Sequence, residues 1–242
     1  MAIRAVFFDV VGTLARFVPE QEELLVEAAA TQGMIVTLED ARKGFAAAGE
    51  WWNRVVGQRY RRVGAAERHM LNLEYDRRLF GAAGLDMAAE QLSEVFRELL
   101  RRGRPSRLQT YEDAPPVLDA LRRRNLVIGV VSNMGRDLPQ VLEELGLAGF
   151  LEVAVSSGEV GVSKPDRRIF GEAIRRAGVA ASEAMYVGDL YDSDVVGARA
   201  AGMVPVLLDR YGLFERYDDC LRIASLRELA AFAVGDGSRP YG

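Results

Sequence analysis

The sequence predicts an α/β protein, a doubly wound parallel sheet interrupted by an inserted α-helical domain. Three observations predict it. Short apolar, β-branched runs alternate with helical patterns of about 10–12 residues. Some 90 residues after the first run lack any strand pattern. Residues able to carry chemistry recur just behind the apolar runs, where such sheets place their ligands.

The first run, Ile3 to Asp9, is short and is followed by Gly12-Thr13, which predicts a buried strand ending in a turn. Residues 16–107 then suit helices over Glu20–Gln32, Leu38–Ala48, Trp51–Phe80 with a break near Gly64, and Ala88–Arg102. Leu24, Leu25, Ala28 and Ala29 keep one apolar face at helical spacing. Pro and Gly mark the hinges, Arg16–Pro19 and Gly103–Arg107. The insertion carries 15 basic and 14 acidic residues, whereas the remainder is net acidic. Beyond it, strands are predicted at Leu126–Ser132, Leu151–Ser156, Ala184–Gly188 and Val204–Leu208. Helices are predicted at Ala114–Arg124, Arg136–Leu145, Asp166–Ala177 and Asp192–Ala201. Buried strands linked by helices imply a parallel sheet covered on both faces. The domains are thus 1–15 with 108–242, and 16–107. The tail, Gly235–Gly242, is expected to be loosely held.

Composition narrows the classes of function. The 242 residues are 49% hydrophobic and 27% charged, which excludes a collagen, a disordered tail and a disulfide scaffold. Cys220 is the sole cysteine, so no internal disulfide or multi-cysteine metal site can form. A net charge of −4 argues against nucleic acid as a partner. No apolar run approaches the ~20 residues of a membrane span, and Asp9 cuts short the apolar N-terminus. The expected location is cytoplasmic, with no membrane partner. Lys43 and Lys164 are the only lysines among 31 basic residues.

Four short motifs follow predicted strands. Asp9 projects a carboxylate at the sheet's edge, and Gly12 lets the chain turn and bring amides towards a ligand. Ser132-Asn133 offers a hydroxyl and amides before a helix, which suits an anion. Lys164 precedes Pro165-Asp166, and a compact ammonium can meet a phosphoryl oxygen as a point charge. Asp189, Asp192 and Asp194 follow Gly188 closely, and such hard oxygen ligands suit Mg²⁺. Each motif also has a plain reading: a turn, an N-cap, a Pro-started helix, an acidic helix N-terminus.

Their order, Asp, Ser-Asn, Lys, Asp-rich, resembles the haloacid dehalogenase (HAD) superfamily over the whole chain. Asp9-Val10-Val11-Gly12-Thr13 is similar to its first motif, Ser132 to its second, Lys164 to its third, and Gly188-Asp189 with Asp194 to its fourth. The insertion resembles the small helical C1-type cap, and the rest a Rossmann-like core. The resemblance implies that Asp9 is nucleophile and metal ligand, and that Lys164 neutralises charge as the second catalytic residue. It implies substrate binding by Thr13, Ser132 and Asn133. It implies Mg²⁺ on Asp9, the backbone carbonyl of Val11, Asp189 and Asp194. The expected activity is that of a Mg²⁺-dependent phosphatase of small phosphorylated metabolites, working through an aspartyl-phosphate, as monomer or homodimer.

Val11 departs from the pattern, because phosphatases of this family carry a second Asp there as general acid and base. Its loss weakens proton transfer, worth roughly 10²–10⁴-fold, and falls hardest on poor leaving groups. Two alternatives follow: a metal-independent 2-haloacid dehalogenase, or a catalytically impaired relative that binds phosphate or a partner. The acidic fourth motif favours the phosphatase. A phosphonatase would need a cap lysine, and the surroundings of Lys43 do not resemble that family's segment. His69, the only histidine, lies in the insertion, which argues against a catalytic triad or a His-based zinc site. For Trp51 and Trp52, core packing is the default, as is a solvated helix face for Arg59, Arg61 and Arg62. Arg16 and Phe17 lie near the first hinge, within possible reach of a substrate.

Overall fold

The computed structural model describes residues 2–57, 60, 62–85, 89–102, 107–135 and 137–229. Arg59, Arg61, the hinge from Gly103 to Ser106, Arg136 and the tail Gly235–Gly242 lie outside the described residues. The chain divides into two compact units, Met1–Arg16 with Gln109–Gly242, and Phe17–Leu108.

In chain order, β1 (Ala5–Phe8) leads through a tight loop to β2 (Ala15–Val18). Then come α1 (Gln21–Ala30), α2 (Leu38–Trp51), α3 (Ala65–Ala82), α4 (Ala89–Arg102) and β3 (Arg107–Thr110). The chain continues through α5 (Ala114–Arg122), β4 (Val127–Ser132), α6 (Leu138–Glu144), β5 (Val153–Ser156), α7 (Ser157–Val160) and α8 (Arg167–Ala177). It closes with β6 (Ala184–Gly188), α9 (Val196–Ala200), β7 (Val204–Leu208) and β8 (Leu221–Ile223).

Six strands form one parallel sheet in the order β5-β4-β1-β6-β7-β8. Strand side chains alternate between faces. Val6 and Phe8 therefore join one apolar layer with Leu118 and Leu142, while Ala5 and Phe7 join the other with Ile169 and Phe170. Both faces are covered, which is why the strands read as unbroken apolar runs. From β1 the chain moves outwards to β4 and β5, then returns to the other side of β1 to lay down β6. The strand order therefore reverses between β1 and β6, and this is where doubly wound sheets open a crevice at their carboxyl ends.

Three expectations need correction. Arg16–Pro19 and Arg107 are not plain hinges: β2 and β3 pair as a two-stranded ribbon. Their partners lie about 90 residues apart in sequence, so no local pattern announces them. β8 is a sixth strand, only three residues long, at the sheet's edge. The fourth-motif segment begins as a π-helical turn, Tyr191–Val195, before α9.

The unit Phe17–Leu108 is helical apart from the strand ends it shares with the ribbon. Leu25, Ala28 and Ala29 of α1, Ala41 and Ala48 of α2, and Leu79 and Phe80 of α3 build its core. A Cβ at Gly44 would stand 2.6 Å from the Leu79 carbonyl oxygen, so α2 and α3 approach closely only with glycine there. A π-helical turn, Trp52–Val56, follows α2 directly. No described helix is long and apolar enough to cross a membrane.

Candidate active site

The loop after β1 is set by its own backbone. Asp9 donates its N–H to Val187 C=O, which ties the end of β1 to β6. Leu14 and Ala15 both donate to Val10 C=O, and Gly12 donates to Ala15 C=O. This curl needs φ +90° at Gly12, a left-handed value that side-chain-bearing residues rarely adopt. It leaves Asp9 only 7% exposed at the switch point.

Lys164 arrives from the loop before α8. Asn133 fixes that loop on both sides: its side-chain oxygen accepts from Lys164 N–H (2.7 Å) and its amide donates to Lys164 C=O (3.2 Å). Nζ then donates to Asp9 Oδ1 (2.6 Å), Asp194 Oδ1 (2.7 Å) and the Tyr186 hydroxyl (2.9 Å). All three donors of the ammonium are used in a site closed to water. The Tyr186 hydroxyl in turn donates to Val131 C=O.

The third carboxylate, Asp189, follows β6 and is half-buried. It accepts from the Thr13 hydroxyl (3.1 Å). Asp194 is fully buried, and its second oxygen accepts from Leu190 N–H. One carboxylate oxygen from each of Asp9, Asp189 and Asp194 lies within 4.8 Å of the others. Ser132 is buried, and its hydroxyl accepts from Met134 N–H.

The charges explain the titration. Burial pushes the Asp9 carboxyl up, Lys164 pulls it back and Asp194 pushes it up again, leaving it at about 6. Burial, then Asp9 and Asp194, raise Asp189 well above the usual carboxylate range. Burial opposes the Lys164 ammonium, but Asp194 and Asp9 outweigh it and raise the lysine above its ordinary value. Three acids thus face one lysine.

The residues fit a small divalent cation. The donor set is hard oxygen, which suits Mg²⁺. The space is held open by glycine: a Cβ at Gly12 would strike the Asp189 carboxylate at 2.2–2.8 Å. One at Gly188 would strike Asp194 at 2.3–2.5 Å. A divalent ion bound there would supply the positive charge that Lys164 alone does not.

Asp9, Thr13, Ser132, Asn133, Lys164, Asp189 and Asp194 therefore all stand at the carboxyl ends of β1, β4 and β6 or in the segments that follow β1, β4, β5 and β6. Val11 turns its half-buried side chain against the sheet's apolar layer. Three contributors escape a reading of motifs. Tyr186 looks like a core residue, and its signal is a phenol inside an otherwise apolar run. Arg210 donates to Thr13 C=O (2.9 Å), grips Asp113 through two nitrogens and stacks over Tyr111 at 3.9 Å. Asp113 also accepts from Ser225 and Leu226 N–H. Arg210 and Asp113 are 97 residues apart, so no local signal exists. Lys43 is exposed and pairs with Glu39, and His69 is exposed.

Comparison with known proteins identifies the family. Residues 3–202 match the family model for haloacid dehalogenase-like hydrolases. The chain is 35% identical over 154 residues to haloacid dehalogenase-like hydrolase domain-containing protein 3 of Mus musculus, covering 64% of this chain and 53% of that one. It is 38% identical over 152 residues to a phosphoserine phosphatase of Thermus thermophilus, covering 61% and 59%. It thus spans about half the length of the curated relatives it matches. Among solved structures, a HAD phosphatase from Thermococcus onnurineus superposes with TM-score 0.58 at 25% identity, covering 96% and 99%. A 2-haloacid dehalogenase from Pseudomonas syringae superposes at 0.54 and 26%, covering 95% and 97%. The matched span holds every motif of the site, and the chain belongs to the haloacid dehalogenase-like hydrolases.

Proposed function

We propose that the chain is a Mg²⁺-dependent phosphohydrolase of small phosphorylated metabolites, with Asp9 as nucleophile. The observation that carries this reading is the charge count at the β1/β6 switch point. Three carboxylates converge within 4.8 Å and Lys164 answers two of them, which leaves negative charge for a cation to balance. A metal-free dehalogenase has no use for that excess. Relatives described as a phosphoserine phosphatase and a glyceraldehyde 3-phosphate phosphatase support the same choice.

Asp9, Asp189 and the backbone carbonyl of Val11 would hold Mg²⁺, with Asp194 in its ligand set or beside it. When bound, the ion draws charge from the phosphoryl oxygens. Asp9 attacks phosphorus, the bond to the leaving oxygen breaks, and the phosphoryl group passes to the carboxylate. Water then attacks phosphorus, returning Asp9 and releasing inorganic phosphate. Lys164 stabilises the charge on Asp9 and on the transferring group. Thr13, Ser132 and Asn133 orient the phosphoryl oxygens. Val11 offers no proton, so the leaving oxygen draws its proton from water, and turnover is highest for leaving groups stable as anions.

The test is p-nitrophenyl phosphate hydrolysis with Mg²⁺ and with EDTA, beside the variant Asp9→Asn. Turnover is expected with Mg²⁺, abolished by EDTA, and reduced at least ~10³-fold in Asp9→Asn, whose amide cannot attack. Turnover kept in Asp9→Asn removes the nucleophile assignment. Halide release from 2-haloacids without metal would instead establish the dehalogenase suggested by Val11 and by the Pseudomonas structure. Neither activity would leave a binding role.

A further inference from the structure

The helical unit carries a half-open cavity of about 870 Å³, lined by residues of α2, the turn after it, α3 and α4. Its volume falls in the range of small-molecule sites, roughly 300–1,000 Å³. Trp52, Tyr75, Phe80, Leu92 and Phe96 make an apolar, largely aromatic wall. Against that wall stands the carboxylate of Asp76, half-buried on α3.

Asp76 has no hydrogen-bond or ion-pair partner among the described residues. Of the basic residues that line the cavity, Arg77 chelates Glu74 through two nitrogens, Arg97 pairs with Glu94, and His69 is exposed. Burial pushes the Asp76 carboxyl up to about 6. Near neutral pH the group is nonetheless an anion, and none of the described residues forms an ion pair with it. A carboxylate half-withdrawn from water against an aromatic wall costs stability unless a cation meets it. The same aromatic group already attracts cations on other sides: Arg78 lies 5.0 Å from the Trp51 ring and Arg68 6.0 Å from the Tyr60 ring. Trp52 packs against both Tyr60 and Tyr75, so the rings form one cluster.

We infer that this cavity is a binding site for a small organic cation, an aryl- or alkylammonium compound whose apolar body fills the aromatic wall and whose ammonium pairs with Asp76. Charge complementarity selects this class over an anion or a neutral apolar molecule. The aromatic faces add cation–π attraction to the ion pair.

Calorimetric titration of the full chain with three isosteric probes tests the inference: 2-phenylethylammonium, 2-phenylethanol and phenylacetate. The ammonium is expected to bind at least ~10-fold more tightly than the alcohol, and the carboxylate not at all. Asp76→Asn is expected to erase the advantage of the ammonium and leave the alcohol unchanged, with circular dichroism reporting its fold. Should Asp76→Asn not fold, the order of the three probes on the native chain decides alone. No heat with the ammonium at millimolar concentration, equal affinity for phenylacetate, or an unchanged affinity in folded Asp76→Asn each overturns the proposal. So does a dimer in sedimentation that Leu73→Glu disperses, because Met70 and Leu73 are exposed on the same helix and a second copy would then occupy this face. None of these readouts uses turnover, so they stand apart from the phosphohydrolase reading.

Discussion

Lys164 is where the site's electrostatics meet. It is nearly closed to water and satisfies all three of its donors on Asp9, Asp194 and Tyr186. Removing one partner of such a buried set typically costs 3–5 kcal/mol, because the remaining charges stay behind. Arg is favoured almost everywhere else in this chain, but its planar fork could not serve three converging oxygens from one atom. Val11 is the opposite case, an apolar side chain at the position that would carry a general acid. Val11→Asp is expected to raise hydrolysis of an alkyl phosphate by at least ~10-fold more than that of p-nitrophenyl phosphate. The comparison of kcat/KM on the two substrates measures it, and an equal gain on both means the new carboxyl gives no proton to the leaving oxygen. The four motif positions were legible because their residue types are rare in apolar surroundings. Tyr186 and Arg210 were not, because one resembles core and the other pairs across 97 residues.

The loops, rather than the strands, bring the carboxylates together. β1 and β6 are adjacent and in register, Phe8 beside Val187, so the loops that follow them emerge side by side. Gly12 keeps the first loop clear of Asp189. Gly12→Ala adds a Cβ into the Asp189 carboxylate at a left-handed φ, for a strain of about 1–3 kcal/mol. The expected result is a loss of p-nitrophenyl phosphate turnover of at least ~10-fold, read beside urea denaturation. Native turnover would mean that Asp189 can move without consequence for the site. The Thr13–Asp189 bond and the Arg210 contact to Thr13 C=O brace this loop from two sides. Elements with strong periodicity, such as α8 and β4, matched their sequence patterns to within a few residues. β2, β3 and β8 escaped because three- or four-residue strands carry too little pattern of their own.

At the scale of the molecule, the two units answer to different probes. If the site takes Mg²⁺ as proposed, binding stabilises the unit Met1–Arg16 with Gln109–Gly242 by mass action, about 2.7 kcal/mol at a hundred times Kd. A rise in Tm of several degrees with Mg²⁺ is expected, absent with EDTA and absent in Asp189→Asn. An equal rise in that variant removes Asp189 from the ligand set. The helical unit responds instead to pH through Asp76. Its folded carboxyl titrates at about 6, above the ordinary 3.8, so the native state holds the proton more tightly than the unfolded chain. Stability therefore falls as pH rises from about 4 to about 6. Asp76→Asn is expected to add about 1 kcal/mol at pH 7, reduced from the full shift because the group is partly solvated, and nothing at pH 3.5. Urea denaturation at the two pH values checks it.

By itself the sequence determined the alternation of strand and helix, the inserted helical stretch and the four motifs, because periodicity and residue type are local properties. Only the tertiary structure decided that three carboxylates share one point, that Lys164 is spent on two of them, and that Asp76 stands beside a cluster of aromatics with no ion-pair partner among the described residues. Those facts depend on distances between residues far apart in the chain. Such distances are set by the reversal of strand order and by helix packing, which no local window of sequence contains.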